Sequence, residues 1–210
     1  LVVSAGDDVV ICEGDDTNLN AAVTGGISPY TYSWTPTTGL SDPAIANPVA
    51  SPLVTTTYEV IVTDDVGTTA MDDVVVTVNP LPAANAGPDA TICEGECVTL
   101  SAGGGIMYVW STGETMGDIN VCPTATTDYY VTVTDVNGCS AEAMATVTVN
   151  PLPTATAGPD ATICEGECVT LSAGGGVMYV WSTQETTGDI NVCPMATTDY
   201  YVTVTDANGC

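Results

Sequence analysis

The residues of this chain that could do chemistry are its 9 cysteines and 26 carboxylates, and no Lys, Arg or His accompanies them. The net charge is -26 at pH 7. Without a basic side chain there is no His general base, no Ser-His-Asp or Cys-His pair, no Schiff-base lysine and no P-loop lysine. Paired carboxylates alone could serve a glycosidase or an aspartic protease. Here the carboxylates recur with an internal repeat, as scaffold residues do, and the expectation is that the chain is not an enzyme. The acidic surface repels nucleic-acid phosphates and anionic membranes alike. Side-chain salt bridges are impossible, so each carboxylate must find water, a backbone N–H, a hydroxyl or a bound cation.

The cysteines fall in a pattern. Cys93, Cys97, Cys122 and Cys139 recur as Cys164, Cys168, Cys193 and Cys210, and Cys12 stands apart. With no His and no C-x-x-C spacing, a zinc site does not fit. Disulfides are the expected chemistry, and they imply an oxidising, extracellular setting.

The elements that must position these residues are read from the repeat. Gly87–Cys139 and Gly158–Cys210 match without an insertion and differ only at 106/177, 113/184, 116/187, 124/195 and 136/207. A fixed period of this size marks a tandem array. Residues 1–79 form a divergent first copy, 80–150 a second and 151–210 a third. Asn79-Pro80-Leu81-Pro82 and Asn150-Pro151-Leu152-Pro153 punctuate the joints, where proline stiffens a short linker. Domains of about 70 residues bury a limited core, so staples are expected. No segment is apolar enough to span a bilayer as a helix.

Short runs rich in Thr, Val, Ile and Tyr, bounded by Gly, Asp, Asn and Pro, read as strands. In the second copy they are Ala90–Ile92, Val98–Ala102, Met107–Thr112, Asp118–Val121, Tyr129–Thr134 and Ala141–Val149, and the third copy repeats them as far as it runs. Tyr129, Val131 and Val133 share one face of a half-buried strand. Asp135-Val136-Asn137-Gly138 reads as a hairpin in which Asn-Gly accepts positive φ. Turn signals every 8–12 residues suggest an all-β fold of tandem Ig-like sandwiches. Trp34, Trp110 and Trp181 are expected in the core between sheets. Tyr58, Tyr129 and Tyr200 open the next-to-last strand, where a tyrosine corner is expected.

These residues carry a family resemblance. Ser4-Ala5-Gly6-Asp7-Asp8, Tyr30-Thr31-Tyr32-Ser33-Trp34, Leu40-Ser41-Asp42-Pro43 and Val62-Thr63-Asp64 resemble a PKD domain. Ala86-Gly87-Pro88-Asp89-Ala90-Thr91-Ile92-Cys93, Tyr108-Val109-Trp110-Ser111-Thr112 and Asp135-Val136-Asn137-Gly138-Cys139 resemble the PKD-like or Ig-like repeats of Bacteroidota cell-surface proteins, gliding-associated and type IX-secreted adhesins among them. The resemblance implies seven-stranded sandwiches arranged end to end, an extracellular location, and a spacer or adhesive role.

The topology so implied constrains the cysteines. Cys97 opens the second strand and Cys122 closes its antiparallel neighbour at the same end, which implies Cys97–Cys122 and Cys168–Cys193. Cys93 ends the first strand at that same end, whereas Cys139 begins the last strand at the other. About nine residues at about 3.3 Å each separate the two, roughly 30 Å, against the ~7 Å limit for a disulfide. An end-to-end array then implies Cys12–Cys139 and Cys93–Cys210 between consecutive copies, with Cys164 left for a following unit. The rival is pairing within each copy, which leaves Cys12 spare.

The same arrangement sets the acidic turns Glu13, Asp15, Asp16, Glu94 and Glu96 opposite Asp135, Asn137, Asp206 and Asn208 of the next copy's hairpin. These nine residues are candidate calcium ligands, since calcium takes oxygen donors from flexible loops. The favoured function is structural: a disulfide-stapled string of Ig-like domains in an extracellular filament or adhesin stalk, whose partners are further repeats or copies of itself. The alternative is an adhesive binding module that recognises a glycan or surface partner through loops such as Gly103–Ile106 or Thr112–Gly117. The third copy stops at Cys210, where its last strand should begin. Two expectations follow: a section of a longer array, which is favoured, or a strand donated by a neighbouring subunit.

Overall fold

A computed structural model describes residues 1–210 and contains strands and turns but no helix. The first copy builds β1 (Val2–Ser4), β2 (Val9–Cys12), β3 (Thr17–Asn18), β4 (Ala22–Thr24), β5 (Thr31–Thr35), β6 (Val49–Ala50), β7 (Thr56–Thr63) and β8 (Thr69–Asn79). One sheet has the order β2-β8-β7-β5, and β1-β4 and β3-β6 make up the facing layer. The pairing of β2 with β8 is parallel and sets Cys12 opposite Asn79. β7 and β8 pair antiparallel, Tyr58 opposite Val74 and Thr63 opposite Thr69. Alternation does the rest: Tyr58, Val60 and Val62 turn inward with no exposure, while Glu59 and Ile61 between them face solvent. Val74 and Val76 cover the same core from β8.

The second copy gives β9 (Ala90–Cys93), β10 (Val98–Ser101), β11 (Met107–Trp110), β12 (Asp118–Val121), β13 (Thr127–Thr134) and β14 (Ser140–Asn150), within two residues of the expected bounds. Its sheets are β11-β13-β14-β9 and β10-β12, a sandwich of six strands where the resemblance implied seven. Tyr129, Val131 and Val133 are buried, and Tyr130 is exposed. β14 runs parallel to β9 with Asn150 opposite Cys93.

The third copy gives β15 (Val169–Ser172), β16 (Met178–Trp181), β17 (Asp189–Val192) and β18 (Val202–Thr205). These make only the two-stranded sheets β15-β17 and β16-β18. Ala161–Cys164 has the same residues as β9 yet forms no strand, which corrects the expectation that the third copy repeats every strand up to its end. In the complete copies that segment is paired in its sheet with the last strand alone, and an extended segment without a ladder partner has little to hold it.

By packing, the chain divides into two compact bodies that do not follow the repeat boundaries. One comprises Leu1–Asn85, Gly103–Val109 and Thr132–Glu142, and the other Ala86–Ala102, Trp110–Val131 and Ala143–Cys210.

The three tryptophans are buried as expected, each 1–2% exposed. Each also ties a loop to the core. Trp34 Nε1 donates to the Ile45 carbonyl, Trp110 Nε1 to Met116 and Trp181 Nε1 to Thr187, all at 3.0 Å. A buried indole N–H needs such a partner. Tyr58 departs from a tyrosine corner. Its hydroxyl donates 2.9 Å to the carbonyl of Thr38, twenty residues upstream on a different loop, not to the backbone just before its own strand.

Candidate functional site: the joints between copies

The chemistry of this chain concentrates where one copy meets the next. Cys12 closes β2 beside Asn79, and the Glu13 amide donates 2.8 Å to the Asn79 carbonyl, so β2 is held to the end of β8. From there Cys12 bonds to Cys139, with Cα atoms 5.5 Å apart. Cys139 sits immediately before β14 and is 1% exposed. The second joint repeats this. Glu94 donates 2.8 Å to Asn150, and Cys93 bonds to Cys210 at the same 5.5 Å Cα separation. Cys97–Cys122 and Cys168–Cys193 close within their own copies, bridging β10 to β12 and β15 to β17 at their ends. Cys164 is a free, exposed thiol.

A second attachment was invisible to sequence reasoning. After β8 the linker runs to Asn85, whose amide donates 3.1 Å to the Gly103 carbonyl while the Gly103 amide donates 2.8 Å back. Thr156 and Gly174 exchange the same pair of bonds at the next joint, at 3.1 and 3.0 Å. The adjacent glycines make this approach possible. Gly104 holds φ +98, and a Cβ there would collide with the carbonyl oxygen of Ala83; Gly175 is identical in φ and would strike Thr154. A Cβ at Gly105 would strike the carbonyl of Thr134. The loop Gly103–Ile106, considered above as a recognition loop, therefore packs its glycines on its own linker and sheet. The signal was present as the repeated Gly-Gly-Gly at 103–105 and 174–176, but its partner lies in another element.

The acidic residues are placed as follows. In the hairpin after β13, Asp135 Oδ1 accepts from the amides of Asn137 and Cys139 at 2.8 and 2.9 Å, and Asp135 Oδ2 accepts from Asn137 Nδ2 at 3.3 Å. Asp206 repeats this with Asn208 and Cys210 at 2.8, 2.9 and 3.2 Å. The carboxylate thus orders the turn that presents the joint cysteine. Only Gly138 (φ +84) takes a positive φ; Asn137 does not. The expected turn joins β13 to β14, with the positive φ carried by the glycine of the Asn-Gly pair. Glu96 caps its own turn through Oε2 to the Cys93 amide, 3.0 Å. Glu13, Asp15, Asp16, Glu94, Asn137 and Asn208 have exposed side chains. No three Cys, Asp or Glu side chains converge as a metal-holding group.

These hydrogen bonds tune the acids. The Cys210 amide foremost, against the opposing effect of burial and together with Asn208 and Gly209, holds the Asp206 carboxyl below its ordinary 3.8. In the first copy the matching Asp64 is pushed up by burial, but the amides of Thr68, Ile27 and Val66 act against that and leave it lowered from 3.8.

No protein-family model matches the chain, and no curated protein does. Among solved structures, it is similar to Drosophila OTK extracellular domains 3–5 (10% identity, 97% of this chain and 91% of that one, TM-score 0.35). It is also similar to the I-band fragment I67–I69 from titin (13% identity, 86% and 78%, TM-score 0.40). A third is the fibronectin(III)-like modules of Clostridium thermocellum CbhA (14% identity, 71% and 93%, TM-score 0.31). Identities and scores this low lend nothing to a reading of function.

Two outcomes are expected. Gly104→Ala combines a strained positive φ with a backbone collision, whereas Gly113 (φ +94) has open space around its Cβ position. In urea denaturation Gly113→Ala should cost about 1 kcal/mol, and Gly104→Ala roughly 2 kcal/mol or more beyond that. Equal costs would show that the linker contact contributes nothing. The lowered Asp206 carboxyl contributes stability that is complete above 3.8, its unfolded value, and is lost as pH falls through the lower folded value. Asp206→Asn should therefore flatten the loss of stability on acidification below about pH 4, measured as melting temperature against pH. An unchanged slope would remove Asp206 from the account.

Proposed function

We propose that this chain is a structural segment of an extracellular filament or adhesin stalk, of the PKD-like or Ig-like kind found on Bacteroidota surfaces. The single observation that carries it is the pair of disulfides Cys12–Cys139 and Cys93–Cys210, each tying one copy to the next beside a linker pinned by backbone hydrogen bonds. A protein that needed its domains to swing would gain nothing from a covalent bond across each joint. Disulfides persist in oxidising surroundings, which supports a secreted location. The partners on this reading are further copies of the repeat.

The mechanism is passive. Sheets resist extension, and the disulfides remove slack from the linkers. We also propose that calcium screens the carboxylates at the joints, among them Glu13, Asp15, Asp16, Glu94 and Glu96. What supports this is a charge of -26 with no basic side chain to offset it. The adhesive reading, with a glycan or protein ligand, now rests on the exposed loop Thr112–Glu114 through Met116 and its counterpart at 183–187.

Electron micrographs of the native material test the structural reading: regular filaments are expected, and dispersed short particles would overturn it. For the cation, millimolar calcium should raise the melting temperature by roughly 4–8 °C over chelator, the shift that about 1 kcal/mol gives a domain of this size. Identical melting in calcium and in chelator would dispose of the calcium proposal while leaving the filament untouched.

A further inference from the structure

The hairpin after β13, which presents Cys139 to its disulfide, holds a reactive pair of residues. Asn137-Gly138 and Asn208-Gly209 are the Asn-Gly pairs of the chain. The turn itself does not need the asparagine. In the first copy Val66 stands in the place of Asn137, and the turn closes in the same way. The Val66 and Thr68 amides donate to Asp64 Oδ1 at 3.2 and 2.8 Å, and the Gly67 amide donates 3.0 Å to the Asp64 carbonyl. What asparagine adds at 137 is a carboxamide carbon placed just before a glycine nitrogen.

Such a pair can react within the chain. The glycine nitrogen attacks Cγ of the asparagine, a cyclic imide forms as the Cγ–Nδ2 bond breaks, and the amide proton leaves with Nδ2 as ammonia. Water then opens the imide at either carbonyl and leaves an aspartate or an isoaspartate. Glycine favours the attack because no Cβ crowds its nitrogen. Asn137 and Gly138 are exposed, and nothing outside the adjoining residues lies within 4 Å of a Cβ built on Gly138. The Gly138 amide makes a 3.2 Å bond to the Asp135 carbonyl, longer than the 2.9 Å bond from the Asp135 amide to Cys139. Asn120 and Asn191 differ on both counts. They lie inside β12 and β17, and each precedes a β-branched valine.

We propose that Asn137 is a site of non-enzymatic deamidation in the folded chain, and that its product loosens the hairpin that presents Cys139. Asn137 Nδ2 donates 3.3 Å to Asp135 Oδ2, and the Asn137 and Cys139 amides donate to Asp135 Oδ1 at 2.8 and 2.9 Å. An aspartate at 137 replaces the Nδ2 donor with oxygen and sets a second carboxylate against Asp135. Like charges this close repel, and the chain has no basic side chain to offset them. An isoaspartate also lengthens the backbone between the two amides, so they no longer converge on one oxygen. Cys139 is 1% exposed while the turn holds. A loosened turn opens Cys12–Cys139 to exchange with a small thiol, because exchange requires access to a sulfur. The joint's resistance to reduction therefore falls as the chain ages. The reaction needs water and no filament, so it is separable from the array reading.

The experiment holds the oxidised chain in mildly alkaline buffer, where more of the attacking amide is deprotonated, and samples it over time. Mass spectrometry of a non-reducing digest reads the exchange of amino for hydroxyl at each asparagine, and labelling by an isoaspartyl methyltransferase reads the isoaspartate. Asn137 should convert to both products while Asn120 and Asn191 persist. In the converted chain the Cys139 amide should lose protection from hydrogen exchange. Dithiothreitol should cleave Cys12–Cys139 several-fold faster, with Cys97–Cys122 unchanged. Asn137→Asp should show both changes without incubation. Asn137→Val, which installs the residue of the first copy, should fold and show neither however long it is held. Persistence of Asn137 for as long as Asn120 would overturn the proposal. So would conversion that leaves both the Cys139 protection and the thiol cleavage as they were.

Discussion

A cysteine that closes the first strand of a sandwich and a cysteine that opens its last strand lie at opposite ends of one sheet. Parallel pairing enforces this: Cys93 sits beside Asn150, at the far end of β14 from Cys139. The two cannot reach each other within a copy, so each finds the neighbouring copy's cysteine. Much else in the joint serves that bond. The Asp135 and Asp206 carboxylates order the hairpins that present Cys139 and Cys210, and the glycine triplets let the linker lie close enough to share backbone hydrogen bonds with the next copy. The first compact body reflects this coupling, since it contains Cys12, Cys139, Asn85 and Gly103 together.

The absence of basic side chains makes covalent and backbone interactions carry what ion pairs carry elsewhere. No carboxylate can be offset by a side-chain cation, and several accept backbone N–H bonds instead. Asp64, Asp135 and Asp206 do so at equivalent turns. Other acids, Glu13, Asp15, Asp16 and Glu94 among them, lie exposed and repel one another. A small sandwich under such self-repulsion gains stability from staples, and the bonds Cys97–Cys122 and Cys168–Cys193 supply them within copies.

Much of the fold could be read from the sequence because its signals are local. Strand alternation around Val131 and Val133 is a property of adjacent residues, and the burial of Trp34, Trp110 and Trp181 follows from their place among alternating strands. What could not be read depends on partners distant in the chain. Gly-Gly-Gly at 103–105 has no local meaning until Ala83 lies against it. The Tyr58 hydroxyl finds Thr38, and each indole N–H finds a loop carbonyl that no spacing rule names. Ala161–Cys164 shows the converse: its sequence is that of β9, but local preference does not make a strand without a partner. Gln184 makes a related point. It holds φ 75 where Gly113 holds φ 94, so the turn geometry is dictated by the surrounding structure and not by the residue that fills it.

The joints between copies depend on how the cysteines pair, and that is open to direct chemical measurement. The chain has no Lys or Arg, so trypsin has no site, but cleavage at acidic residues separates the cysteines into distinct peptides. Under non-reducing conditions, mass spectrometry of such a digest should recover the Cys12 peptide joined to the Cys139 peptide and the Cys93 peptide joined to the Cys210 peptide, with Cys164 as the free thiol. Recovery of Cys12 as a free thiol, with the remaining cysteines paired within their own copies, would contradict the account at its centre.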